Sequence, residues 1–136
     1  VGISRVPSFE GLDDSFAGRV WALATCSQLP TVELAHPFGL TTSVFKVVGR
    51  MFAVVSLDDA PGRATLKCDP DYGSFLVQQF DEVTPGYHMN KRHWITLVLS
   101  PTLPTDLIEG LITDSYDLVV AALPVGLRSA LEAPGR

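Results

Sequence analysis

The ten residues Pro85 to Trp94, PGYHMNKRHW, hold two histidines, an amide, two cations and two aromatic rings. Such residues do chemistry in three ways. Lys91 and Arg92 can neutralise phosphates, Asn90 can hydrogen-bond to one, and Tyr87 and Trp94 offer rings on which a base can stack. His88 and His93 are candidate metal ligands, and His93 is a candidate base oriented by Asp81 or Glu82. The metal reading fails on spacing. A closed zinc site needs four ligands, usually in close Cys or His pairs; His88 and His93 stand five apart, with His36, Cys26 and Cys68 elsewhere. The catalytic reading fails on context, because the chain carries no nucleophile elbow, no phosphate loop and no dinucleotide glycine pattern. The sequence therefore predicts no enzyme, no catalytic residue, no metal and no cofactor.

Cations recur beyond this motif. Lys46, Arg50, Arg63 and Lys67 lie between His36 and Cys68 against only Asp58 and Asp59, and Lys91 and Arg92 are the only charged side chains between Val83 and Leu103. The whole chain is acidic, with net charge −5 and a pI near 5.0, which runs against the strongly basic domain expected of a simple nucleic-acid binder. A locally basic surface on an acidic body is the pattern the distribution suggests.

The elements that position these residues follow from periodicity. With 136 residues, 46% of them apolar and 18% charged, the chain suits one well-packed domain. The runs MFAVV and LVVAAL are far shorter than the ~20 residues of a membrane helix. No secretory signal is visible and the two cysteines read as buried thiols, so the expectation is a cytoplasmic protein. Residues 1–12 read as a flexible lead, 13–124 as one domain, and 125–136 as a short helical or frayed tail. A helix is expected from Asp13 and Asp14, with Phe16, Val20, Leu23 and Ala24 on one stripe and Pro30 as its stop. HPFG is a turn. SVFKVV and MFAVVS, separated by Gly49 and Arg50, form a hairpin, and ATLKC after the DDAPGR turn adds a third strand. Asp69 caps a helix with Pro70 at its first position and Tyr72, Phe75, Leu76 and Phe80 on one stripe. WITLVLS is a strand, and Leu107 to Ala122 is helical, with a bend expected near Thr113 because Gly110 interrupts it.

Helix, strands, helix, strand, helix predicts an α+β domain of two layers, an antiparallel sheet with helices on one face. Alternation assigns Phe45, Val47, Phe52, Val54, Ala64, Leu66, Ile95, Leu97 and Leu99 to the covered face. It assigns Lys46, Thr65, Lys67, Trp94 and Thr96, with Val44 and Val98, to the other, which an antiparallel sheet can leave in water.

In order and spacing, HPFG, VFKVVGRMFAVV, LKCDP, PGYHMNKRHW and DSYDLVVAALP resemble the MmcQ/YjbR-like family of small bacterial proteins. The resemblance covers roughly Val20 to Pro124 and implies a fold related to frataxin-like, secretion-chaperone-like and double-wing domains. It implies DNA binding by analogy of shape and no catalytic residues. Its hallmark positions are Lys46, Tyr87, His88, Asn90, Lys91, Arg92, His93 and Trp94; Arg50 stands where the family often has Lys, with the charge kept. The expected nucleic-acid-binding set is those residues with Arg50 and Lys67, making weak and salt-sensitive contacts. The competing expectation is a protein-interaction module that uses the same sheet face. In the plainest alternative, Tyr87 and Trp94 anchor a turn and the cations are merely solvated.

Overall fold

The computed structural model describes residues 22, 23, 25–56, 62–86 and 90–131, with side chains as far as Arg128. The expected lead at 1–12, the capping Asp13 and Asp14, Phe16, Val20, Ala24, Tyr87 and His88 lie outside the described residues. Six strands form one antiparallel sheet: β1 (Val32–Ala35), β2 (Thr42–Val47), β3 (Arg50–Ser56), β4 (Arg63–Lys67), β5 (Val83–Pro85) and β6 (Trp94–Val98), in the order β1-β2-β3-β4-β6-β5. The described helices are α1 (Pro70–Gln79), α2 (Thr105–Ala121) and α3 (Val125–Leu131), preceded by helical residues ending at Ser27.

The β2–β3 hairpin turns on Val48 and Gly49, with φ of 49° and 73°, and Arg50 already pairs with Val47 as the first residue of β3. Two successive positive φ values mark the turn type whose twist matches that of paired strands. One bulge then corrects the alternation. Phe45 pairs with Ala53 but Lys46 pairs with Met51, so Phe52 is an extra residue in β3. Phe52 and Ala53 are both fully buried, and every residue beyond them is shifted by one. Val54 therefore moves from the expected core face to the opposite one, where it pairs with Val44 and Thr65, while Val55 takes the core place.

Helix α2 covers the core face. Ile108, Leu111, Ile112, Ser115, Tyr116 and Val119 are its buried residues, and Tyr116 meets Phe52 edge to face with ring centroids 5.4 Å apart. The Tyr116 hydroxyl also donates to the Pro30 carbonyl at 2.7 Å, tying α2 to the end of the first helical stretch. The helix does not break. Gly110 is exposed with no neighbour to disturb, and its cost of about 1 kcal/mol is outweighed by the apolar turns on either side.

Helix α1 begins as its sequence dictates: an Asp69 carboxylate oxygen accepts from the N–H groups of Asp71 and Tyr72, both at 3.1 Å. Its buried stripe is different from the expected one. Gly73 and Leu76 are buried, with Val77 and Phe80 half-buried beside them, because Gly73 lets the helix approach until a Cβ there would stand 3.2 Å from Ile95. Tyr72 and Phe75 are turned outward, 40% and 53% exposed, stacked at 6.3 Å. Cys26 and Cys68 are free, buried thiols.

Candidate binding surface

Strand polarity brings the candidate residues together. β2 and β4 end where β3 and β6 begin, so Lys46, Arg50, Lys67, Trp94 and the turn before β6 all lie along one end of the sheet. Lys46 stands opposite Met51, and Lys67 opposite Trp94. At the usual spacing of ~4.8 Å between strands, the four adjacent strands carry this row across roughly 14 Å. Arg50, Lys91 and Arg92 are exposed, while Lys46 and Lys67 are half-buried.

The turn before β6 is built from its own residues. The Asn90 side-chain oxygen accepts from the Arg92 N–H at 2.9 Å, and the Asn90 carbonyl accepts from the N–H groups of His93 and Trp94 at 3.1 and 3.0 Å. The His93 carbonyl accepts from the Cys68 N–H at 2.8 Å, joining the turn to the end of β4. The Lys91 ammonium donates to the Gly86 carbonyl at 3.1 Å and so closes the loop that leads from β5. Asn90 is thus first a turn residue, Lys91 has one proton committed, His93 and Trp94 are half-buried, and Arg92 is the most available cation of the motif. Between this turn and α1 lies an open cleft of about 550 Å³, with Lys91 and Arg92 on one side and Asp69 and Asp71 on the other.

The second sheet face is less open than alternation alone suggests. Val44, Thr65 and Thr96, in its middle, are 2%, 8% and 3% exposed, and the Thr65 and Thr96 hydroxyls hydrogen-bond to each other at 3.0 Å. Among the described residues no group of His, Cys, Asp and Glu is placed to hold a metal ion, and no helix is long and apolar enough to cross a membrane. Sequence reasoning missed two positions that shape this end of the molecule. Gly86, inside the motif, lies against Trp94, and Ser115 of α2 bonds to the backbone of β3 and β4. Gly86 was visible as part of a Pro-Gly pair; Ser115, a lone hydroxyl on an apolar helix stripe, was the other signal.

A six-stranded antiparallel sheet with helices on one face, and this motif at one end of it, defines a small two-layer α+β domain. The YjbR family model matches residues 27–118, and the chain belongs to that family. It is 40% identical over 96 residues to the YbdF protein of Escherichia coli O157:H7, covering 71% of this chain and 79% of that one. With the YjbR protein of Escherichia coli K12 it shares 32% identity over 109 residues, 80% of this chain and 92% of the other. The crystal structure of a Deinococcus radiodurans protein of the DUF419 domain family superposes with a TM-score of 0.75 at 37% identity, covering 82% of this chain and 85% of that one. None of these names carries an activity or a ligand.

Proposed function

We propose that this is a non-enzymatic, cytoplasmic domain that binds DNA weakly through the cations along one end of its sheet. The observation that carries the reading is the alignment of Lys46, Arg50, Lys67, Lys91 and Arg92 across β2, β3, β4 and the turn before β6. A row of roughly 14 Å is comparable with the ~12 Å major groove whose flanking phosphates it would contact. Four or so engaged cations give a log–log salt slope of roughly −3 to −4 on duplex DNA, so binding is strong only at low ionic strength. Free buried thiols favour a reducing compartment. Among the described residues His36 Nε2 lies 3.3 Å from Ser43 Oγ, and Ser43 is only 6% exposed. The buried middle of the second face disfavours a protein partner lying flat on it.

The test titrates a labelled random duplex and a single strand into the protein by fluorescence anisotropy at about 50 and 200 mM salt, where such a slope predicts a loss of roughly a hundredfold. The double variants Lys91→Glu with Arg92→Glu, and Arg50→Glu with Arg92→Glu, should each abolish binding; the second leaves the Lys91 loop closure intact. No binding at low salt, or unchanged affinity in both variants, refutes the proposal.

A further inference from the structure

On the helical side, α1 and α2 enclose a groove of about 380 Å³ at the same end of the molecule. Its floor is Leu111 and Leu118, its wall is the Tyr72 ring, and Asp69, Asp114 and Asp117 stand around it. Tyr72 and Leu118 are 40% and 36% exposed, so the ring and the leucine are open to an incoming group. Among the described lining residues Lys67 is the single cation, against three carboxylates. Burial, followed by the nearby charges of Asp69 and Asp114, pushes the Cys68 thiol up to about 11.

Two features narrow the occupant. The apolar floor suits an aliphatic side chain or the stem of a long basic one, which buries its methylenes while its charged head reaches the acids. Tyr72, 40% exposed and stacked against Phe75, suits a guanidinium or ammonium placed over its ring. We infer that this groove docks a basic, leucine-bearing peptide segment of a protein partner, with an Arg or Lys side chain between Tyr72 and the Asp114–Asp117 pair and an apolar side chain on Leu118. The groove shares Lys67 with the cation row, but Tyr72, Asp114, Asp117 and Leu118 lie outside that row, so the inference does not depend on DNA binding.

Isotope-labelled protein titrated with a short capped peptide of alternating arginine and leucine should show amide shifts concentrated at residues 67–73 and 111–121. The variant Asp114→Asn with Asp117→Asn, both at exposed helix positions, should bind about tenfold more weakly, as loss of two screened ion pairs predicts. Leu118→Ser should also weaken it, and the Lys91→Glu with Arg92→Glu variant should bind the peptide at least as tightly as the native chain while losing DNA. A glutamate–leucine peptide should not bind, and spermidine, which has charge without a branched apolar group, should bind at least tenfold more weakly than the peptide. Absence of peptide binding, equal binding by the two-Asn variant, or spermidine matching the peptide each overturns the inference.

Discussion

The Gly86 N–H donates to the Trp94 carbonyl at 2.7 Å, and the two backbones are so close that a Cβ on Gly86 would fall 2.6 Å from the Trp94 Cβ and 2.9 Å from its carbonyl oxygen. Backbone cannot yield as a flexible side chain can. Gly86→Ala must therefore push β5 from β6 and move the Asn90–His93 turn with it. The expected cost is about 3 kcal/mol, at the upper end of overpacking effects. Urea denaturation checks it; a midpoint within error of the native one means that the loop relaxes freely.

Ser115 repairs what the bulge in β3 leaves open. The extra residue Phe52 lies where the β3–β4 ladder stops at Ala53 and Leu66. The fully buried Ser115 hydroxyl donates to the Phe52 carbonyl at 2.6 Å and accepts from the Lys67 N–H at 2.9 Å. Removing it strands a buried acceptor and a donor together, each worth about 1–3 kcal/mol when unsatisfied. Ser115→Ala should cost about 2 kcal/mol, since the freed groups can relax toward each other. Amide exchange of Lys67 should accelerate in the variant, a readout that mere loss of packing in α2 would not produce.

These two residues also show where the sequence stops being informative. The layered fold, the β2–β3 hairpin, the Asp69 cap and the apolar face of α2 all follow from local patterns that the structure keeps. Strands β1 and β5, with four and three residues, are too short for alternation to register and exist only because β2 and β6 offer them an edge. The bulge at Phe52 depends on a partner strand, so period-two counting placed Val54 in the core. Tyr72 and Phe75 fell on one helical stripe with Leu76 and Phe80; Gly73, with no side chain, wins that face by letting the sheet come closer. The candidate cations were legible as residue types, and their alignment along one sheet end came only from strand order. The acid-lined groove was hidden because its walls, α1 and α2, are separated by the whole of β5 and β6.

Val48 is a β-branched residue held at φ 49°, a conformation that costs an L residue about 1–2 kcal/mol, and Gly49 follows it at φ 73°. Asn-Gly is the pair this turn prefers. Val48 is half-buried against the edge of the core, so the substitution gives up part of an apolar contact as it relieves the backbone. Half-burial of a valine is worth about 0.8–1.5 kcal/mol against a strain of about 1–2, so Val48→Asn should stabilise the protein slightly, by about 0.5 kcal/mol at most. A lower urea midpoint in the variant means that the packing of Val48 outweighs its strain.

Burial pushes the Cys26 thiol from 9.0 to about 12, and burial followed by Asp69 and Asp114 pushes Cys68 from 9.0 to about 11. Both stay protonated in the fold after they have ionised in the unfolded chain. The unfolded state thus binds fewer protons above pH 9, and stability falls as pH rises. The contribution of each thiol is fully present below pH 9.0 and is lost progressively toward pH 11 for Cys68 and pH 12 for Cys26. Urea midpoints measured from pH 7 to 10.5 should be level with respect to the thiols up to about pH 8.5 and then decline, and the decline should be shallower in Cys26→Ala. Native protein should also react slowly with a disulfide reagent at pH 8, and both thiols should react at once in urea, since the thiolate is the nucleophile. Rapid labelling of either cysteine in the native state contradicts its burial.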